Sequence, residues 1–382
     1  MNPQMSKKSI DDPQITQIHA DLKKKDEKQG IAIWALTPGG AALTGRITAG
    51  LADVQTPIQV FLSGRVDSGS LPAVSFERLS EALKDRFHQF SGHIFVMAAG
   101  VVVRAIAPLI LDKTRDPAVV VVDEAGRHVV SLLSGHIGGA NRLAIQTAEA
   151  IGADPVITTA TDVNRLPAID DLAIQHGLSI ENPQAIKGVH MALLHGEKAA
   201  CHDPFELISG KISGWIRHDP EVFRPANGNP ENASPGIFVS DEAKPLPPNV
   251  LILRPKSLVA GIGCNRNTPM AEIEAHLREV FKRFGYAPSS LALLATADVK
   301  ADEEGLLELA EHLNLAIEFY DKRRLNAVDG VPNPSPTVEK HVGVKSVCEA
   351  AAILASKGGQ LIVPKQVSRN VTLAIARRSF IS

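Results

Sequence analysis

The segment Gly92–Asp162 decides the fold, and two of its runs are broken by glycine: GHIFVMAAG at residues 92–100 and SGHIGGAN at residues 134–141. An apolar run stands before each break and a helical pattern follows, which is the sequence of a buried strand that turns into a helix. The residues DEAGR at 123–127 separate two further apolar runs and predict a hairpin. Polar side chains at the ends of buried strands are where α/β proteins place their chemistry, so this segment also predicts a functional site.

The alternation of strands and helices continues on both sides of this segment. Strand patterns at residues 31–36 and 57–62 and a helical pattern at residues 75–90 precede it, and a new series begins at Leu258. Such alternation predicts parallel sheets covered by helices. We therefore expect a multi-domain α/β protein, with N-terminal and C-terminal α/β domains whose helix-covered sheets are mostly parallel, and a smaller middle domain.

The domain boundaries are predicted where the pattern changes. Residues 1–30 are charged and lack the apolar core of a signal peptide, so we expect a mobile extension. An N-terminal α/β domain is predicted at residues 31–163, a middle domain with a linker at 164–257 and a C-terminal α/β domain at 258–382. The total length of 382 residues is ample for more than one domain.

Composition argues against several classes of protein. Hydrophobic residues make up 44% of the chain and charged residues 21%, and no apolar run reaches the roughly 18 residues of a membrane span. The formal net charge of -2 disfavours a broad nucleic-acid-binding surface. The 3 cysteines are far apart, so neither a disulfide framework nor a metal site is expected. A cytoplasmic protein without membrane or nucleic-acid partners fits these features.

The turn at residues 134–141 is the first candidate site. Its backbone amides and the helix that follows would favour an anion or a developing oxyanion, whereas its spacing departs from the GxGxxG dinucleotide pattern. The alternative is a tight turn that needs glycine only for packing. The residues of this turn expected to contact a ligand are Ser134, Gly135, Gly138, Gly139 and Asn141.

Three side chains of the same segment could carry chemistry. His136 could act as a general base, because its ordinary pKa lies near neutrality. Asp162 is predicted at the end of a strand beside the same sheet edge, where it could orient His136 or only cap a turn. Arg104, one helical turn after Gly100, either points into a cleft or lies on the solvated face. Gly100 is itself a candidate for contact with substrate. Ser134 is expected to form hydrogen bonds, because the GxSxG context of a nucleophile is absent.

A second strand-to-helix turn is predicted in the C-terminal domain. Thr268 is expected to cap the helix, and Arg266 could hold a carboxylate near the helix start. The strand end contributes Gly261, Gly263 and Cys264 to this candidate binding turn. Cys264 could be reactive in that position or simply a small buried residue.

Two lysines and one capping pattern complete the candidates. Lys300 and Lys345 lie in or just after loops, where they could meet substrate carboxylates or remain on the solvated surface. Ser346 and Glu349 have the spacing of a capping box, which would account for Glu349 structurally.

Several of these motifs together resemble the CbiG family of cobalamin-biosynthesis proteins. The resemblance is carried by residues 92–100, 104–108, 116–123, 134–141 and 158–162. From Leu258 onward the chain is similar to the C-terminal CbiG domain and to the CobE family, through residues 261–264, 297–303 and 342–349.

The resemblance implies cobalt-precorrin-5A hydrolase activity, which opens the δ-lactone of the macrocycle and releases acetaldehyde to give cobalt-precorrin-5B. It implies a cobalt-containing tetrapyrrole as substrate, so the cobalt belongs to the substrate and no cofactor of the protein's own is expected. Neighbouring corrin-pathway methyltransferases and a second copy of the chain, forming a homodimer, are candidate partners.

The resemblance assigns no catalytic residues, so their roles are a hypothesis fitted to this reaction. We expect His136, supported by Asp162, to activate water, and the backbone amides of residues 138–141 to stabilise the oxyanion. Arg104 and Arg266 would hold substrate carboxylates. Two alternatives stay open: a non-catalytic carrier of corrinoid intermediates, and an unrelated nucleotide-binding α/β enzyme.

Overall fold

The computed structural model describes residues 29–52, 56–112, 115–164, 166, 168–197, 200–212, 216–217, 223, 234–329, 331–333 and 346–379. The chain divides into two compact units, Met1–Asp171 and Leu172–Ser382, which are taken in turn. Lys345 and nearly all of the predicted extension at residues 1–30 lie outside the described residues. The domain boundaries stay a prediction.

A seven-stranded sheet in the order β3-β2-β1-β4-β5-β6-β7 forms the centre of the first unit. All neighbouring strands are parallel except β5 and β6, which form the hairpin predicted from the sequence. The strands are β1 (Gln29–Ala35), β2 (Ile58–Ser63), β3 (Ala73–Phe76), β4 (Phe90–Val96), β5 (Ala118–Val122), β6 (His128–Leu133) and β7 (Asp154–Val156).

Helices cover both faces of this sheet, because its central strands are apolar on both sides. Ile31 and Ile33 of β1 face one core, which also contains apolar residues of the helices Pro38–Gly50 and Ala140–Ile151. Trp34 faces a second core, together with the helices Leu79–Arg86 and Ala99–Ile106. The helices of the first unit are α1 (Pro38–Gly50), α2 (Leu79–Arg86), α3 (Ala99–Ile106), α4 (Ala140–Ile151) and α5 (Ala160–Val163), and α6 (Ile169–Gln175) crosses into the second unit.

The helix predicted at residues 75–90 is wrong at both ends. Ser75 and Phe76 belong to β3 and pair with β2, and Phe90 begins β4. The apolar residues at helical spacing were misleading because Phe76, Leu83 and Phe87 are buried in the same core from different elements. Asp162 is also not at the end of a strand, as was predicted. Strand β7 ends at Val156, and Asp162 lies in the first turn of the short helix Ala160–Val163.

Two five-stranded sheets form the second unit, in the orders β10-β9-β11-β12-β8 and β15-β14-β13-β17-β16. The first contains β8 (Ser179–Ile180), β9 (Ala200–His202), β10 (Ile216–Arg217), β11 (Gly236–Val239) and β12 (Val250–Arg254). The second contains β13 (Leu258–Cys264), β14 (Leu291–Ala297), β15 (Ala316–Tyr320), β16 (Gln360–Val367) and β17 (Val371–Arg377). The helices are α7 (Ile186–Leu194), α8 (Met270–Phe284), α9 (Glu304–His312), α10 (Lys322–Asn326) and α11 (Val347–Ala355).

A buried carboxylate connects the two sheets of the second unit. Asp241, which is fully buried, accepts a hydrogen bond from Ser257 Oγ at 2.7 Å and two from the guanidinium of Arg377 at 2.8 Å. A charge removed from water needs such partners, so this network holds the end of β17 against the residues that follow β11.

Of the two helix caps predicted in the second unit, the one at Thr268 is wrong and the one at Ser346 is correct only in position. Pro269, with extended dihedrals, is the N-cap of α8, and the hydroxyl of Thr268 instead donates to the carbonyl of Asn265 at 2.8 Å. Ser346 is the N-cap residue of α11, but its side chain forms no capping hydrogen bond. Within the described part of the chain, no helix has the length and apolar character that a membrane crossing requires.

Candidate functional site

Two glycines shape the turn between β6 and α4. Gly139 is the N-cap of α4 and has a φ of 89°, which is in the left-handed region that glycine tolerates best. At Gly138 a Cβ would lie 2.1 Å from Cβ of Ser134, so the backbone passes too close for any side chain. The alternative reading, glycine for packing, is therefore true of Gly138.

Most backbone amides of this turn are not available to form the expected oxyanion site. Gly139 N–H donates to the carbonyl of His136 at 2.8 Å, Ala140 N–H to Ser134 at 3.0 Å and Asn141 N–H to Gly135 at 3.0 Å. Three of the four amides at residues 138–141 thus have an acceptor within the turn. Of these four, the Gly138 amide is the one without an acceptor in the described part of the chain, and it could donate to a ligand.

His136 lies between two carboxylates. Its Nε2 is 3.7 Å from Oδ2 of Asp162, and its Nδ1 is 3.8 Å from Oδ2 of Asp171. These are ion-pair distances rather than hydrogen bonds. The side chain of His136 is 16% exposed and that of Asp162 is 37% exposed, so solvent reaches the Asp162 carboxylate most easily.

Negative charge raises the pKa of the His136 imidazole above its ordinary value. The Asp171 carboxylate contributes most, burial of the ring acts in the opposite direction, and the charges of Asp170 and Asp162 add to the increase. The imidazolium form is consequently favoured more strongly than in a free histidine. At a given pH more of the ring is therefore protonated, so it can serve as a proton donor.

The carboxylate of Asp162 is held by its neighbours. Asn141 Nδ2 donates to Oδ2 of Asp162 at 3.1 Å and to Oγ1 of Thr159 at 3.0 Å, and the Thr159 hydroxyl donates to the same Oδ2. On its other side, Oδ1 of Asn141 accepts from Ser131 Oγ at 2.7 Å. Asn141 is 3% exposed, so it lies beneath the site rather than on its surface.

Arg104 and Gly100 are separated from His136 by the sheet. Gly100 follows the carboxyl end of β4, whereas β6 runs antiparallel to β5 with Leu133 opposite Val119, so the turn after β6 lies at the edge where β4 and β5 begin. These edges are about 16 Å apart for a strand of five residues. Nη1 of Arg104 donates back to the carbonyl of Gly100 at 3.3 Å. Arg104 is exposed, so of its two predicted alternatives the solvated face is the one observed. Neither Arg104 nor Gly100 lies at the edge that carries the His136 turn.

Ser134 and Arg142 are two further polar residues in and beside this turn that could contact a ligand. Ser134 has a φ of 60°, and its Oγ is buried without a hydrogen-bond partner among the described residues. Arg142 is exposed in the first turn of α4, and its Nη2 would lie 3.3 Å from a Cβ at Gly139. The sequence reasoning missed Arg142, although it directly follows the SGHIGGAN run, and it missed Asp171.

The second candidate turn does not present free positive charge. Arg266 pairs with Asp302 and lies 3.0 Å from Oε1 of Glu303, and Lys300 Nζ donates to the same Oε1 at 3.1 Å. The adjoining pocket is lined by the carboxylates of Asp302, Glu303, Glu304 and Glu308 in addition to Arg266. A carboxylate-rich ligand would be repelled there, which argues against the role predicted for Arg266 and Lys300.

The glycines of this second turn are strand residues. A Cβ at Gly261 would lie 1.9 Å from the carbonyl oxygen of Cys348 in α11, and one at Gly263 would lie 2.6 Å from Oγ1 of Thr372 in β17. Packing against backbone therefore requires glycine at residue 261, and at residue 263 a side chain would displace the Thr372 hydroxyl. Burial raises the pKa of the Cys264 thiol, which disfavours the reactive thiolate.

No metal site was found in the described part of the chain: no group of three or more His, Cys, Asp or Glu side chains there is arranged to hold an ion. Lys345 lies outside the described residues.

Three family models match successive parts of the chain. Cobalamin synthesis G N-terminal matches residues 81–162, cobalamin biosynthesis central region matches 167–255, and cobalamin synthesis G C-terminus matches 258–376. The candidate site around His136 falls within the first model, and Asp171 falls within the second.

Curated relatives extend over nearly the whole chain. The cobalt-precorrin-5A hydrolase of Priestia megaterium is 33% identical over 363 residues, which cover 90% of this chain and 94% of that protein. The cobalt-precorrin-5A hydrolase of Salmonella typhimurium is 35% identical over 359 residues, covering 91% and 97%. Protein CobE of a Sinorhizobium species is 38% identical over 121 residues, covering 31% of this chain and 79% of that protein. The chain belongs to the cobalamin biosynthesis G family, CbiG.

Proposed function

We propose that this protein is a cobalt-precorrin-5A hydrolase, which opens the δ-lactone of a cobalt-containing tetrapyrrole and releases acetaldehyde. The family and the curated relatives support the reaction class. The observation that carries the location of the site is the position of His136, between the carboxylates of Asp162 and Asp171 in a solvent-accessible turn at a sheet edge. The proposal gives His136 an acid role in the first step, where the sequence hypothesis gave it the role of a base.

Lactone opening requires a proton for the departing ring oxygen, and an imidazolium supplies it. Water adds to the lactone carbonyl and gives its proton to the accessible Asp162 carboxylate, and His136 protonates the oxygen that leaves as a hydroxyl. The neutral imidazole then takes this hydroxyl proton back as the carbon–carbon bond breaks and acetaldehyde departs. The electron pair of that bond passes to the macrocycle, whose cobalt is part of the substrate.

Groups of the same turn complete the proposed site. The Gly138 amide is the candidate donor to the tetrahedral oxyanion, because its neighbours donate to carbonyls within the turn. Arg142, exposed beside Gly139, takes the role of holding a peripheral carboxylate that the sequence suggested for Arg104. The buried Ser134 hydroxyl is a further candidate for contact with substrate.

The remaining expectations enter as parts of the same proposal. The protein uses no cofactor of its own, since the metal arrives with the substrate. Cys201, Cys264 and Cys348 form no disulfide in the described part of the chain, which fits a reducing, cytoplasmic setting. Corrin-pathway methyltransferases that supply or consume the labile intermediates, and a second copy of the chain, are the proposed protein partners.

The deciding experiment is anaerobic incubation of the full-length protein with cobalt-precorrin-5A, followed by measurement of acetaldehyde and of the product mass. One acetaldehyde per macrocycle and the mass of cobalt-precorrin-5B are expected. Tight binding of the macrocycle with no acetaldehyde would instead favour the carrier. Tight binding of a nucleotide with no affinity for the tetrapyrrole would favour an unrelated α/β enzyme.

A further inference from the structure

The Asn141 side chain uses every hydrogen that it can donate inside the protein. Its two Nδ2 hydrogens serve Thr159 Oγ1 at 3.0 Å and Asp162 Oδ2 at 3.1 Å, and its Oδ1 accepts from Ser131 Oγ at 2.7 Å. The residue is 3% exposed. To donate to a substrate it would have to break a buried hydrogen bond, so it does not have the properties of the ligand-binding group expected from the sequence.

One atom joins this network to the proposed reaction. Oδ2 of Asp162 accepts from Asn141 and from the Thr159 hydroxyl, and the same oxygen lies 3.7 Å from Nε2 of His136. Without these donors the carboxylate, on a short helix and 37% exposed, would be free to rotate toward solvent. We propose that Asn141 is a positioning residue, whose amide fixes the Asp162 carboxylate against His136; its catalytic meaning rests on the proposed function.

The surrounding backbone is built around this amide. A Cβ at Gly135 would lie 2.8 Å from Oδ1 and 3.3 Å from Cγ of Asn141, so the absence of a side chain at residue 135 provides the space that the amide occupies. Ser131 is on β6, Asn141 on α4 and Thr159 at the N-cap of α5. The amide thus links three elements, and Gly135 is explained by packing against Asn141 rather than by contact with substrate.

The test measures the imidazole pKa of His136 by NMR in the full-length protein, which requires no substrate. The variants are Asn141→Ala, the similarly sized Asn141→Leu, Asp162→Asn and the double variant Asn141→Leu/Asp162→Asn. The matched control is Asn164→Ala, because Asn164 also contacts α5, donating to the carbonyl of Ala160 at 2.8 Å, but not the carboxylate. The His136 resonances are assigned with His136→Gln.

Each Asn141 variant is expected to lower the pKa of His136 toward the value in Asp162→Asn, the double variant to lower it no further, and the control to leave it unchanged. With cobalt-precorrin-5A, kcat is expected to fall by about 10- to 100-fold while KM stays near its wild-type value. An unchanged His136 pKa in a folded Asn141→Leu variant would overturn the proposal. A rise in KM with kcat unchanged would also overturn it, in favour of substrate binding by Asn141.

The two proposals fail in distinguishable ways. A wild-type protein that releases no acetaldehyde contradicts the hydrolase function, while the pKa comparison still decides whether Asn141 positions Asp162. An active wild-type protein whose His136 pKa is indifferent to Asn141 contradicts the positioning role alone.

Discussion

Nδ1 of His136 lies 3.8 Å from Oδ2 of Asp171, a carboxylate contributed by a helix that follows the glycine-rich turn by a long stretch of chain. The Asp171 carboxylate is the largest contributor to the raised pKa of His136. This contact therefore favours the protonated imidazole that the proposed reaction uses. Asp171, which provides the contact, lies outside the glycine-rich motif that defines the turn.

Replacing Asp171 with asparagine is expected to lower the pKa of His136, because the charge that contributes most to the increase is removed. If the imidazolium is the acid, acetaldehyde release falls as pH rises through the His136 pKa, and in Asp171→Asn this decline moves to lower pH. The pH profile of kcat/KM measures the shift. A profile that declines at the wild-type pH would contradict the assignment of Asp171.

The contribution of His136 to folding stability should depend on pH with a definite sign. Because its folded-state pKa is raised, the ion pairs stabilise the protein fully below the unfolded-state pKa of about 6.5, and this stabilisation is lost as pH rises through the folded-state value. The destabilisation caused by His136→Gln should thus be larger at about pH 6 than at about pH 9. Urea unfolding at both pH values, monitored for the transition of the first unit, tests it. An equal cost at both would contradict the raised pKa.

Two arginines at opposite edges of the sheet provide a comparison. Arg142→Ala is expected to raise KM for cobalt-precorrin-5A by about 10-fold with little change in kcat, since it removes one charge-assisted contact to a carboxylate. Arg104→Ala should leave both the pKa of His136 and its titration curve unchanged, because the guanidinium returns to Gly100 beyond the far end of β5. A shifted His136 titration in Arg104→Ala would contradict the topology.

Local sequence patterns were sufficient to predict the structure where interactions between residues close in sequence determine it. The hairpin at residues 123–127 is present as the antiparallel pair β5 and β6, and Gly152 ends α4 in the left-handed conformation that glycine tolerates. Arg104 lies on the solvated face, which was one of its two predicted alternatives, and away from His136. A hairpin reverses the chain direction, so the end of β6 cannot lie at the same edge as the end of β4.

The rest of the site depends on contacts that periodicity does not report. Asp171 approaches His136 through tertiary packing, from a region of weak pattern. Arg266 has the sequence position expected of a residue that binds a substrate carboxylate. Its charge is instead neutralised by Glu303, which is distant in sequence. The second strand of the final hairpin, Val371–Arg377, was not predicted, and its pairing with β13 places Thr372 against Gly263.

Gly138→Ala is expected to destabilise the first unit by about 1 to 3 kcal/mol, because the new Cβ would lie 2.1 Å from Cβ and 2.5 Å from the carbonyl oxygen of Ser134. Gly45→Ala in α1 is the control. A Cβ there has no atom within 4 Å, and alanine in a helix interior should stabilise by about 0.5 to 1 kcal/mol. Denaturant unfolding of both variants measures the difference. Similar effects at the two positions would contradict the close approach in the turn.

Glu349 offers a test of structure in the second unit, where the capping box predicted with Ser346 is not formed. The side chain is fully buried, and its oxygens accept from Asn333 Nδ2 at 2.8 Å, Asn333 N–H at 3.1 Å and Lys365 N–H at 3.0 Å. Glu349→Ala leaves two partly buried backbone donors without their acceptor and should cost about 1 to 3 kcal/mol. Ser346→Ala should cost less, because the Ser346 hydroxyl has only a weak contact with Cys348 Sγ at 3.9 Å in the described part of the chain. Thermal unfolding of both variants, with the exposed Glu311→Ala as control, measures the difference. Equal losses of stability in Ser346→Ala and Glu349→Ala would support the capping box instead.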